Sequence, residues 1–125
     1  MCSSDLLVLS DHGFTSFQRG LNLNSWLWRE GYLALQEGVE PGDATQDLFH
    51  GVDWSRTRAF ALGLGAVYLN KVGREPQGIV SESQEREILE SIAGRLSGLI
   101  DPDRNLRAVR RVVLGKEVYS GPYTA

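Results

Sequence analysis

Cysteine is nearly missing from this chain: Cys2 stands alone among 125 residues. One thiol closes no internal disulfide and builds no cysteine-based zinc site. Long apolar runs are missing too, since none approaches the ~20 residues of a membrane span. The opening Met1-Cys2-Ser3-Ser4-Asp5 carries no basic region, and the apolar run behind it is too short for a secretory signal. Neither sign of charge dominates, as 13 basic and 16 acidic residues give a net charge of -3. That balance excludes a global electrostatic attraction to nucleic acid or to an acidic membrane. No internal repeat, low-complexity tract or glycine-rich phosphate loop occurs. What remains is an ordinary mixture, 42% apolar and 23% charged, long enough for one domain with a core.

The most telling stretch is Leu6-Leu7-Val8-Leu9-Ser10-Asp11-His12-Gly13-Phe14. Four consecutive apolar residues predict a short strand buried on both faces, as in a parallel or mixed α/β sheet. Sites in open α/β sheets form outside the carboxyl ends of the strands, and this strand ends on an acid and an imidazole. Successive side chains on a strand point to opposite faces, so Asp11 and His12 converge only where the strand breaks, at Gly13. A carboxylate and an imidazole suit zinc, manganese or iron. Two ligands do not make a catalytic zinc site, which takes three from the protein. A capping aspartate beside a surface histidine is the competing reading.

Further along, Thr15 to Gly20 is predicted to be a rim loop. Asn24 is predicted to cap a short helix over Ser25 to Glu30, closed by Gly31. Trp26 and Trp28 read first as core residues and second as a stacking platform for a base or sugar. Tyr32 to Leu35 is predicted to be a short strand or extended exit, and Glu37 to Gly51 a loop turning at Pro41-Gly42. His50 in that loop reads as solvated rather than as a ligand. Asp53 reads as a turn aspartate bonded to the Ser55 or Thr57 amide, with a third metal ligand as the sharper alternative. Glycines at 63 and 65 separate two apolar stretches over 59–70, predicting a hairpin or bulged pair. Arg74, in a turn bounded by Gly73 and Gly78, pairs with Glu75 or meets a phosphate.

The clearest helix spans 82–99. Ser81 and Gln84 have capping-box spacing, and Ile88, Leu89, Ile92, Ala93, Leu96, Leu99 and Ile100 recur on one face. Asp101-Pro102 stops it, and a strand is predicted over 107–115. Arg104, Arg107, Arg110 and Arg111 form the only basic cluster. Without interleaved aromatics it reads as a solvated edge rather than a nucleic-acid surface, whose mark would be steeply salt-dependent retention on DNA or RNA.

Leu9-Ser10-Asp11-His12-Gly13-Phe14 behind an apolar strand resembles the metal-binding signature of type I phosphodiesterases and nucleotide pyrophosphatases, of the alkaline phosphatase superfamily. The resemblance continues through Asn24-Ser25-Trp26-Leu27, Val52 to Ala59, Gly73 to Val80 and Tyr119-Ser120-Gly121-Pro122-Tyr123, covering most of the chain. It implies an alkaline-phosphatase-like α/β sandwich with a mixed, mostly parallel sheet and flanking helices. It implies a metal-dependent phosphoester hydrolase acting on a small phosphoester or nucleotide through a phosphoryl-enzyme, with two divalent metals, commonly zinc. Asp11 and His12 would be ligands of the metal that also binds the nucleophile.

The family's nucleophile and its other aspartate and histidine ligands have no matching positions in this sequence. The chain is therefore expected to be an internal fragment of one catalytic domain. Its parts would be a metal-site strand at 5–13, rim and inserted loops at 14–58, a strand pair at 59–70, a helix at 82–99 and a strand at 107–115. Alone, it is expected to be inactive and to bind metal weakly. A phosphomutase or phosphonate hydrolase of the same superfamily, and a non-catalytic α/β binding module, are the alternatives.

Overall fold

The computed structural model describes residues 8–16, 19–40 and 49–121. Cys2, the Leu6-Leu7 half of the first apolar run, the Pro41-Gly42 turn and the Pro122-Tyr123 end of the family-like series lie outside the described residues. Among those described, the fold is a small mixed α/β arrangement of three helices and two short antiparallel sheets.

Helix α1 runs Leu23–Arg29. Its cap is Asn22, whose side chain accepts from the Ser25 amide at 3.0 Å. Asn24, expected as the cap, sits inside the first turn instead. Gly31 ends the helix at φ +76°, and the Gly31 and Tyr32 amides return to the Trp28 and Leu27 carbonyls at 3.0 and 2.8 Å. This pairing closes a helix around a left-handed residue, a conformation glycine adopts without a Cβ penalty.

The chain then pairs Leu35 with Val52 in an isolated antiparallel bridge and enters the hairpin. Strand β1, Ala59–Leu62, pairs antiparallel with β2, Ala66–Leu69, in the register Ala59 to Leu69 and Leu62 to Ala66. The predicted hairpin with its glycine break is thus present. Beyond it, Lys71 and Val80 form a parallel bridge across the Gly73 to Gly78 turn. Gly78 is tight there, because an added Cβ would lie 1.8 Å from the Lys71 carbonyl oxygen.

Helix α2, Glu82–Ser97, follows Ser81, and the Gln84 side chain reaches back to the Ser81 amide at 3.1 Å. Ile88, Ile92 and Leu96 form its buried stripe, four residues apart as a helical face requires. The buried Glu85 on that face is met by Lys71 Nζ at 2.6 Å, so this acid is not left unpaired in the interior. One core joins α1, its exit, the hairpin and α2 through Trp26, Leu27, Leu33, Val52, Ala61, Val80 and Ile92.

Two predicted strands are corrected. Of the strand expected at 5–13, residues 8–13 are described and none is in a strand; Val8 and Leu9 are 82% and 81% exposed. No described residue supplies the neighbouring strand that would pair and cover them. The strand expected over 107–115 shrinks to its start. Strand β3, Ile100–Asp101, pairs with β4, Leu106–Arg107, in a tight hairpin, and residues 108–114 carry no strand. Val109 and Val112 pack against the core three residues apart, a spacing that a strand's two-residue alternation does not allow. Helix α3, Gly115–Val118, is a single turn.

Candidate functional site

Asp11 and His12 lie together on an exposed segment that bends at Asp11. His12 Nε2 is 3.5 Å from Asp11 Oδ2, with the two side chains 62% and 88% exposed. His12 Nδ1 lies 3.1 Å from the Gly13 carbonyl, and a carbonyl only accepts, so Nδ1 carries the proton in this contact. In the neutral form of that tautomer, Nε2 is the atom that carries the lone pair, and it lies on the side of Asp11. Ser10 Oγ donates to the His12 carbonyl at 2.6 Å and fixes the turn, while Phe14 meets the imidazole edge-on at 5.2 Å.

Does this pair fit a metal? Two donors each about 2.0–2.2 Å from one tetrahedral ion stand about 3.3–3.6 Å apart, so their separation suits a shared ion. A ligating histidine usually gives its other N–H to a carbonyl or carboxylate, as His12 does to Gly13. The set is nevertheless small: among the described residues no group of three or more His, Cys, Asp or Glu is arranged to hold a metal. Asp11 and His12 fit as two ligands and leave the remaining positions open.

The other candidates do not join them. Asp53 Oδ1 accepts from the Ser55 amide at 3.1 Å and the Ser55 hydroxyl at 2.6 Å, which is the expected turn aspartate. His50 is exposed in the turn at 49–51. Arg74 Nε binds Glu75 at 2.7 Å, and its Nη2 donates to the Leu69 carbonyl at 2.6 Å, so it serves the turn. Arg19 in the rim loop is claimed by Asp101, at 3.1 Å, and by Asp103. The hydrogen bond to Asp103 and the charges of both acids raise its pKa above the usual guanidinium value. Trp26 is buried as a core residue, whereas Trp28 is partly exposed. Arg104, Arg107, Arg110 and Arg111 are all exposed.

Three polar residues organise the interior in ways the sequence did not mark: it offered Asn24 as a helix cap, Thr57 as an amide partner of Asp53, and Asn70 in no role. Asn24 bonds both backbone groups of Ala61. Thr57, fully buried, accepts from the Ala34 amide at 3.0 Å and donates to the Asp53 carbonyl at 2.8 Å. Asn70 Nδ2 faces the Trp54, Thr57 and Gln77 carbonyls at 2.9, 2.9 and 3.0 Å.

Comparison with protein families, with curated proteins and with solved structures finds no match to this chain.

Proposed function

We propose that this chain belongs to a metal-dependent phosphoester hydrolase of the type I phosphodiesterase and nucleotide pyrophosphatase kind, and that Asp11 and His12 are two ligands of one of its divalent ions. The observation that supports this reading is the 3.5 Å approach of the Asp11 and His12 donor atoms, with Nδ1 turned to the Gly13 carbonyl. The ordered family-like series from Asp11 through Tyr119 to Gly121 supplies the chemical class.

When bound, divalent ions lower the pKa of an attacking hydroxyl and neutralise charge on the phosphate. The part assigned to this chain is narrower. Asp11 contributes a carboxylate oxygen and negative charge, and His12 contributes the Nε2 lone pair. Gly13 holds the imidazole tautomer, and Ser10 holds the turn that brings the two together. The nucleophile, the covalent phosphoryl-enzyme it forms and the other ligands belong to other parts of the proposed enzyme. The mostly parallel sandwich is part of the same proposal, in which the 59–69 hairpin and α2 would flank the larger sheet.

The test is hydrolysis of bis(p-nitrophenyl) phosphate by the native protein, captured from its source with an antibody against this chain. Activity that a chelator removes, zinc restores and His12→Ala abolishes is expected. No turnover, or turnover indifferent to His12→Ala, contradicts the proposal.

One observation favours a second reading, a non-catalytic α/β binding module. The core is assembled from residues between Trp26 and Leu96 and takes nothing from the Asp11-His12 segment. A module of this kind unfolds cooperatively and ignores zinc.

A further inference from the structure

A cleft of about 150 Å³ opens where the end of α1, the entry to β1 and the side of α2 meet. Its polar lining is Glu30, Tyr32, Arg58, Glu87, Ser91 and Arg95, and none of it comes from the Asp11-His12 segment. Concave sites with a few convergent polar groups are where small ligands bind.

These groups are held in place. Tyr32 is 3% exposed, and its hydroxyl lies 2.7 Å from Ser91 Oγ. The guanidinium carbons of Arg58 and Arg95 stand 5.2 and 5.8 Å from the centre of the Tyr32 ring, within reach of its quadrupole. Arg58 Nη2 also donates to the Gly31 carbonyl at 3.2 Å, and Arg95 donates to the Glu30 carboxylate. Side chains fixed beforehand lower the ordering cost of binding.

The charges of the lining specify what would fit. Arg95 and Glu30 neutralise each other. Arg58 and Glu87 are both exposed, and neither has an ion-pair partner among the described residues. Arg58 has spent one of a guanidinium's five donors, on Gly31. Glu87 stands one turn before Ser91 on α2, about 6 Å along the axis. Two arginines and two glutamates leave the cleft without net charge. A bare anion would therefore meet an unpaired carboxylate, and a bare cation an unpaired guanidinium. A ligand carrying both charges answers both.

We propose that this cleft binds a free α-amino acid, whose carboxylate accepts from Arg58 and whose ammonium donates to Glu87. The Ser91 and Tyr32 hydroxyls stand between as further hydrogen-bonding groups. Ile88, the aliphatic member of the lining, suits a short apolar side chain. A space of this size holds about six non-hydrogen atoms, the size of alanine. So small a ligand binds weakly, with a dissociation constant of about 1 mM.

Heteronuclear NMR titration of the chain with L-alanine to about 50 mM, well above that constant, tests this. The amides of Tyr32, Arg58 and Ser91 should shift together and saturate. L-Alaninamide lacks the carboxylate, and N-acetyl-L-alanine lacks the ammonium. Each should bind roughly tenfold more weakly or worse, the scale of one lost charge-assisted bond. Arg58→Gln should no longer distinguish alanine from alaninamide, and Glu87→Gln should no longer distinguish alanine from N-acetylalanine. No saturating shift at these amides, equal binding of the three ligands, or inorganic phosphate binding there as well as alanine overturns the proposal. So does a glutamine variant that keeps the wild-type preference. Should a variant lose its far-UV circular dichroism, the ligand series on the wild-type chain decides alone.

Discussion

Replacing Asn70 should be among the most damaging single changes in this chain. Its side chain is fully buried, at 0% exposure, and its Nδ2 is the shared donor for the Trp54, Thr57 and Gln77 carbonyls. Those carbonyls come from the Asp53 turn, the entry to β1 and the Gly73 to Gly78 turn, so one amide ties three loops. Two hydrogens serve at most two of them well at once. Asn70→Ala strands two buried acceptors at about 1–3 kcal/mol each. Against that, it removes Oδ1, which has no partner of its own, and so recovers about 1 kcal/mol. The net loss is about 1–5 kcal/mol, a large share of the ~5–15 kcal/mol that holds a domain together.

Asn70→Asp sharpens the test, because it keeps the shape and turns the donor into an acceptor facing three carbonyl oxygens. It should cost more than Asn70→Ala at pH 7. Burial and the carbonyl lone pairs hold the introduced carboxyl's folded pKa above its unfolded value of ~3.9. A raised folded pKa means that the deficit is full above that pKa and shrinks as pH falls toward ~4. Urea denaturation followed by far-UV circular dichroism at pH 7 and pH 5 measures both effects. An Asn70→Ala loss under ~0.5 kcal/mol, the scale of an ordinary surface change, refutes the reasoning. So does an Asn70→Asp penalty that equals that of alanine at both pH values.

Gly78→Ala drives a Cβ to 1.8 Å from the Lys71 carbonyl oxygen and 2.7 Å from the Val72 nitrogen, so the Lys71–Val80 bridge must open. A loss of at least ~1–3 kcal/mol is expected in the same denaturation assay, and an unchanged midpoint would show that the close approach is not real. Asn24→Ala removes both bonds to Ala61 and should cost about 1–3 kcal/mol. An unchanged urea midpoint contradicts that role.

Local chemistry was the legible part of this sequence. Gly63 and Gly65 mark the hairpin because a reversal needs residues that accept positive φ, and both glycines adopt it. Ser81 and Gln84 mark the start of α2, Asp53 its own turn, and Arg74 and Glu75 their own pair, all through contacts within a few residues. Readings that depended on distant partners fared worse. Val8 and Leu9 have the composition of a buried strand, but burial belongs to whatever covers them, and no described residue does. Leu106 to Leu114 has strand-forming residues, yet Val109 and Val112 turn toward the core at a spacing set by tertiary packing. Asn24 and Asn70 act on backbone groups 37 and 7 to 16 residues away, which no local pattern announces. At the candidate site, the sequence placed Asp11 beside His12, and their side-chain approach follows from that adjacency together with the bonds to Ser10 and Gly13.

The proposal that Asp11 and His12 hold a metal is tested most directly by calorimetric titration of the chain with zinc, alongside Asp11→Ala, His12→Ala and His50→Ala. One weak zinc per wild-type chain is expected, weakened roughly tenfold or more by loss of Asp11 or His12 and untouched by loss of His50. No binding by the wild-type chain, or binding that survives the loss of both Asp11 and His12, contradicts the account.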